Sequence, residues 1–95
     1  MFTQKEINHI DQSYFVVLQA TCYSITLQSR NTKHYWHILH EVGQGYSTCQ
    51  INHKHHSENS WHRHRNQPNL SASLKEIRSH DTFHMKREKS KKSHC

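Results

Sequence analysis

The pattern of apolar and polar positions begins with a short helical segment at the N-terminal end of the chain. Ile7 and Ile10 stand at helical spacing. Ahead of them, Thr3 and Glu6 have the spacing of a capping box, in which each side chain satisfies a free backbone N–H of the other. The sequence therefore predicts a helix over about residues 4–11.

The following apolar positions predict an antiparallel meander of three or four strands. Residues 13–20 carry β-branched and aromatic side chains on both faces, which is typical of a central strand. In later stretches the side chains alternate between two faces of a strand: Ile25 and Leu27 share one face of their strand, and Trp36 and Ile38 share one face of the next. The remaining candidate strands are residues 23–30, 34–42 and 46–53.

Turn residues separate these strands. Residues 29–33 predict a tight turn in which Asn31 can adopt a positive φ, and Gly43-Gln44-Gly45 predicts a hairpin. After Pro68, the pair Ser73 and Glu76 has the form of a second capping box. It predicts a helix over about residues 74–80, with an extension to Lys86 left open.

Together these elements predict a small α+β fold. An antiparallel three- to four-stranded meander stands between an N-terminal and a C-terminal helix, in the order α-β-β-β(-β)-α. The predicted single domain covers residues 1–85 and contains a histidine-rich loop at 53–67. A flexible basic tail is predicted at 86–95.

The positive charge of the chain is concentrated near its C-terminal end. The 95 residues include 13 Lys and Arg, 7 Asp and Glu and 12 His, for a net charge of +6 with neutral histidines. The segment 86–95 holds five of the basic residues and one acid, so residues 1–85 are close to charge balance. The basic character favours an acidic partner, and much of it lies in the tail.

The cysteines and the N-terminal residues predict a location. Cys22, Cys49 and Cys95 form neither an even disulfide framework nor a C-x-x-C pair. The first residues lack the apolar run of a signal peptide, and no stretch approaches membrane-spanning length. We expect a cytoplasmic protein with free thiols and no membrane partner.

A candidate transition-metal site lies in and beside the histidine-rich loop. Cys49, His53 and His55 share one face of a predicted strand, and His62 and His64 share a face if their segment is extended. Imidazole and thiolate groups are the usual zinc ligands. The alternative is an exposed histidine-rich loop with incidental affinity for metal.

Two further sets of histidines stand elsewhere in the chain. His80 and His84 are four residues apart, as in the H-E-x-x-H motif, with Asp81 in the glutamate position. His34 and His40 lie on a strand rich in apolar residues, where half-buried, hydrogen-bonded histidines are typical.

The order of several of these residues resembles the outline of an HNH nuclease finger over residues 49–84. In that family a strand ends in a metal ligand and a general base, an asparagine follows, and a helix returns the last ligand. The resemblance implies a metal ligand at His55, a water-activating base at His56, an orienting residue at Asn69, and a last ligand at His80 or His84. It implies metal-assisted phosphodiester hydrolysis. The segment departs from the family in its lack of glycines, its long Asn-to-His interval and its missing cysteine pairs.

A non-catalytic nucleic-acid surface is the other candidate. Trp61 stands among Lys54, Arg63 and Arg65, and aromatic stacking with phosphate neutralisation suffices for salt-sensitive binding. The element order is also similar to that of double-stranded RNA-binding domains, whose basic motif is absent from the start of the last helix. No nucleophile elbow, phosphate loop or paired carboxylates occur in the chain.

These patterns leave three hypotheses. The first is a non-enzymatic binding module for an acidic partner, with nucleic acid first. The second is a zinc site formed by histidine and cysteine, with a structural or hydrolytic role. The third is a structural or regulatory protein whose histidines are incidental.

Overall fold

The computed structural model describes residues 1–55 and 60–93, except for the side chains of Tyr46, His84 and residues 86–93. Within these residues the chain forms two helices and five strands, which confirms the predicted α+β fold. In chain order they are α1 (Gln4–Asn8), β1 (Phe15–Ala20), β2 (Ser24–Ser29), β3 (Tyr35–Gly43), β4 (Tyr46–Lys54), β5 (His62–Arg63) and α2 (Leu70–Ser93).

The strands form one antiparallel sheet in the order β1-β2-β3-β4-β5. This meander is the predicted topology with one additional strand. The fifth strand comes from the predicted histidine-rich loop, because His62 and Arg63 pair with His53 and Asn52 of β4. Farther along, Gln67 bridges to β4 again, so much of that segment is attached to the sheet edge.

Strand β1 occupies an edge of the sheet, and its predicted central position is wrong. Phe15 is buried, whereas the last three residues of the strand are exposed. The pairing with β2 shifts between Val17 and Gln19, and the intervening Leu18 is 49% exposed. A bulge of this kind bends and twists an edge strand, which explains why apolar residues on both faces did not indicate burial on both faces.

The hydrophobic core lies between one face of the sheet and the two helices. Alternation along β2 and β3 buries Ile25, Leu27, Trp36 and Ile38 on this face, as the pattern predicted. Among the described residues, the buried apolar side chains of this core are Phe2, Ile10, Phe15, Ile25, Leu27, Trp36, Ile38, Cys49, Ile51, Leu70 and Ile77.

Helix α1 begins with the predicted capping box. The Glu6 backbone N–H donates to Thr3 Oγ1 at 3.1 Å, and the Thr3 backbone N–H donates to Glu6 Oε1 at 3.0 Å. The helix ends at Asn8, earlier than predicted, and Ile10 beyond it enters the core.

Helix α2 starts at Leu70, so the second predicted capping box is wrong. The N-cap is Asn69, whose Oδ1 accepts the Ala72 N–H at 2.8 Å. Ser73 lies inside the helix and donates its hydroxyl to the Asn69 carbonyl at 2.8 Å. The helical backbone continues to Ser93, into the predicted tail. Among the described residues no helix is both long and apolar enough to cross a membrane.

The tight turns follow the prediction in position but not in every residue. The residue with positive φ between β2 and β3 is Lys33, at 64°, rather than Asn31. Asn31 instead accepts the Thr32 N–H on its Oδ1 at 2.7 Å, and the Lys33 N–H closes the turn by donating to the Ser29 carbonyl at 2.9 Å. The β3–β4 hairpin contains Gly45 at φ 76°, where glycine is favoured.

Replacing Asn69 by alanine is expected to lower the free energy of unfolding by about 1 kcal/mol, because one N–H of the first turn loses its acceptor. Asn69→Asp should keep most of the stability, since aspartate is an equivalent N-cap. Denaturant unfolding of both variants measures the difference. Equal midpoints for wild type and Asn69→Ala would contradict the assigned start of α2.

Candidate metal centre and open sheet face

Five histidines converge on the side of the sheet that faces α2. They come from four parts of the chain: the turn before β3, the end of β4, the segment after β5, and the middle of α2. Alternation along β4 places the last of its buried side chains, at position 53, on the same face as the core. We call these residues the histidine cluster: His34, His53, His55, His64 and His80.

The histidine cluster contains two overlapping trios. The ligand nitrogens of His34, His53 and His55 all lie within 4.8 Å of one another, and the same holds for His53, His64 and His80. His53 belongs to both trios. Zn–N bonds of about 2.0–2.1 Å place tetrahedral ligand nitrogens about 3.4 Å apart. Small side-chain adjustments would therefore bring either trio onto a single ion.

Ring stacking holds the histidine cluster against the core. The His53 ring lies on the fully buried Trp36 ring, with centroids 4.2 Å apart and planes 23° apart. The His34 and His55 rings stack at 4.0 Å and 13°. The His80 ring meets Trp36 edge-on at 5.3 Å. The imidazoles thus pack on one another and on the Trp36 indole.

Burial keeps the central imidazoles neutral at physiological pH. It lowers the pKa of His53 to about 3, and repulsion from the neighbouring imidazoles, His34 first, acts in the same direction. Burial also lowers the pKa of His64, with His80 contributing further. One hydrogen bond of 2.9 Å joins His53 Nε2 to His34 Nδ1. Neutral imidazole is the form that binds metal.

The predicted zinc ligands enter these trios only in part. His53, His55 and His64 do so, while neither trio includes Cys49 or His62. Cys49 is buried beside α2, where burial raises the pKa of its thiol, and it pairs with Gln67. The side chain of His62 is exposed at the sheet edge, opposite His53. Cys22 and Cys49 are free cysteines.

Two members of the histidine cluster, His34 and His80, are not in the zinc-ligand set that the sequence predicted around the histidine-rich loop. The sequence indicated that His34 is half-buried and hydrogen-bonded, and the structure places it in the core against His53. The spacing of the sequence pairs His80 with His84, whose side chain lies outside the described residues. Ile77 is buried in the core, so a residue three positions later on α2 lies on the same side. That spacing is the signal that could have found His80.

The residues of the HNH-like outline are partly brought together. His55 and His80 fall in different trios that share His53. Asn69 uses its side-chain oxygen to cap α2. Asp81, in the position of the H-E-x-x-H glutamate, accepts hydroxyl donors from other parts of the chain, which include Tyr14 and Ser29. His56, the implied base, lies outside the described residues.

The predicted nucleic-acid-binding residues divide between two parts of the surface. Lys54 lies on the sheet face opposite α2, with its ammonium 5.2 Å from the centroid of the Trp61 ring. Arg63 is the cross-strand partner of Asn52 on that same face. Arg65 instead makes an exposed ion pair with Glu76 of α2, at 4.0 Å. Three of the four predicted residues therefore share a surface.

Similarity to known proteins assigns no family to the chain. The chain matches no protein-family model, no curated protein and no solved structure. The HNH resemblance consequently rests on the order of a few residues. The function is inferred below from the chemistry of the side chains themselves.

Proposed function

We propose that the protein binds a transition-metal ion, zinc first, through the histidine cluster. The observation that supports this proposal is the pair of trios that share His53, each with its ligand nitrogens within 4.8 Å. Burial holds His53 and His64 in the neutral form that binds metal, and the spacing of the trios requires no large rearrangement for coordination.

The donor set favours zinc and its neighbours in the first transition row. The ligands of both trios are imidazoles, which suit Zn, Cu and Ni, whereas Mg and Ca require oxygen ligands. A trio supplies three ligands of a tetrahedral site. The fourth position is open to water or to another imidazole of the cluster.

Metal binding would join the sheet to α2. In the trio of His53, His64 and His80, two ligands belong to β4 and the segment after β5, and the third belongs to the helix. Coordination would therefore add a cross-link between elements that are distant in sequence. Since the unfolded chain does not hold these residues together, the binding free energy would add to the stability of the fold.

Zinc is expected to raise the thermal unfolding midpoint of the chelator-treated protein by about 10 °C or more. Zinc at a hundred times its Kd adds about 2.7 kcal/mol, and a domain of this size gains several degrees per kcal/mol. The measurement uses protein purified without metal-affinity resin, with elemental analysis of the isolated protein. We expect one zinc per chain and a reversal of the shift by chelator.

A histidine outside the cluster provides the matched control. His53→Gln removes the ligand common to both trios and should abolish the zinc-dependent shift, while His9→Gln, exposed at the end of α1, should preserve it. His55→Gln and His80→Gln then identify the trio that is used. A wild-type midpoint unaffected by zinc, or an equal shift in His53→Gln, would refute the proposal.

A further inference from the structure

The sheet face opposite α2 carries a compact group of aromatic, amide and basic side chains. Directly opposite residues on neighbouring antiparallel strands share a face, and three such pairs adjoin here: Tyr35 with Lys54, His37 with Asn52, and Asn52 with Arg63. Trp61 contacts this group from the segment before β5. We call it the open sheet face: Tyr35, His37, Asn52, Lys54, Trp61 and Arg63.

The geometry of the open sheet face leaves an aromatic ring available to a ligand. The Lys54 ammonium lies 5.1 Å from the Tyr35 ring centroid and 5.2 Å from that of Trp61. The His37 ring meets Trp61 edge-on at 6.2 Å. Trp61 is nevertheless 43% exposed, and it lines a shallow cavity of about 300 Å³ with His37 and Asn52. The indole is therefore positioned by its neighbours without being covered by them.

The charge of this surface is positive. Lys54 and Arg63 lie on it, and among the described strand residues the acid on the same face is Glu41, four positions beyond His37 on β3. At about 3.3 Å per residue, this carboxylate is about 13 Å along the strand from His37. Within the described part of this sheet face, a ligand in the cavity would share the surface with two cations, and the acid would be distant.

We propose that the open sheet face binds single-stranded nucleic acid. A base stacks on Trp61 above the cavity, and Asn52 offers both a donor and an acceptor to its edge. Lys54 and Arg63 neutralise the adjoining phosphates. An exposed indole with the Lys54 ammonium 5.2 Å from its centroid and Arg63 on the same sheet face fits an unpaired base with its phosphates, whereas the bases of a duplex are already stacked on one another.

Binding is measured by the anisotropy of labelled single-stranded DNA and RNA of about ten nucleotides, with the full chain at rising salt. Trp61→Ala should weaken binding about ten-fold or more, and Trp61→Phe should retain most of the affinity. Lys54→Gln and Arg63→Gln should each reduce the slope of log affinity against log salt by about 0.7. The DNA and RNA arms show which backbone is preferred.

The control is a charge change on the opposite side of the molecule. Lys75 is exposed on α2, and Lys75→Gln removes the same charge as Lys54→Gln without touching the open sheet face. We expect Lys75→Gln to lower affinity less than Lys54→Gln. Equal losses in these two variants, or unchanged affinity in Trp61→Ala, would show non-specific attraction and overturn the proposal. Equally effective competition by a poly-glutamate peptide would also overturn it, in favour of acidic ligands in general.

Discussion

Replacing Asp81 by alanine is expected to lower the free energy of unfolding by about 3 kcal/mol or more. Asp81 lies on α2 with no exposed surface, and its carboxyl group accepts three hydroxyl donors from distant parts of the chain. The donors are Tyr14 Oη at 2.8 Å, Ser29 Oγ at 2.6 Å and Thr32 Oγ1 at 3.1 Å. This carboxyl group therefore attaches the helix to the open end of the β1–β2 hairpin, where Tyr14 precedes β1 and Ser29 ends β2, and to the following turn.

The size of the effect follows from the donors that remain after the substitution. Burial, followed by the hydrogen bond to Asp81, raises the pKa of Tyr14 to about 12, so its hydroxyl stays a donor at neutral pH. Without the carboxyl group, the buried Ser29 hydroxyl and its two neighbours lose their common acceptor. A buried donor left without a hydrogen-bond acceptor lowers the free energy of unfolding by about 1–3 kcal/mol, and the cavity left by the missing side chain lowers it further.

Denaturant unfolding at neutral pH measures the loss, and two variants control it. Asp81→Asn retains an acceptor oxygen and should be less destabilising than Asp81→Ala. Glu76→Gln removes an acid from the same helix, where it pairs with exposed Arg65 at 4.0 Å, and should cost less than about 1 kcal/mol. A loss below 1 kcal/mol in Asp81→Ala would contradict the role assigned to this carboxyl group.

Much of the sheet could be predicted because alternation directly records which side of a strand is buried. That information is local, so it located β2, β3 and β4 but not the position of each strand in the sheet. The apolar residues of β1 indicated a central strand, whereas the strand order places β1 at an edge, with a register shift at Leu18. The brief pairing of β5 involves two residues, too few for a periodic pattern.

The start of α2 shows how two local signals compete. Two residues here are of a type favoured at an N-cap, Asn69 and Ser73. Only Ser73 is followed three positions later by the acid of a capping box, Glu76. The structure uses Asn69, directly after Pro68, because the helix can then bury Leu70 as well as Ile77. Burial in the tertiary structure decided between them.

The histidine cluster was only partly predictable for a related reason. His53, His55 and His64 are close in sequence, so their spacing suggested a site. His34 joins them because Trp36 is the cross-strand partner of His53, and this register brings the start of β3 beside the end of β4. Contacts that depend on register or on helix docking, such as those of His34 and His80, are not encoded in local spacing.

The metal-free protein is expected to lose about 2 kcal/mol of stability between about pH 7.5 and pH 5 through His53 alone. The unfolded chain takes up a proton at this residue near the ordinary pKa of 6.5, whereas the folded pKa is about 3. The free energy of unfolding therefore has its full value, as far as His53 is concerned, above about pH 6.5. It decreases as the pH falls from there towards 3, because only the unfolded chain binds the proton. At pH 5 the difference of about 1.5 pH units corresponds to about 2 kcal/mol. His64, whose pKa is also lowered, acts in the same direction.

Denaturant unfolding in the presence of chelator tests this pH dependence. The slope of unfolding free energy against pH should be much shallower in His53→Gln than in the wild type, and His9→Gln is the matched substitution at an exposed histidine outside the cluster. The lowered carboxyl pKa values of Glu6 and Asp11 affect stability mainly below this window. A wild-type stability that stays constant from pH 7.5 to 5 would mean that His53 accepts a proton in the folded state. Because the folded protein keeps His53 unprotonated down to about pH 3, protons compete with zinc for this nitrogen only below the pH range measured.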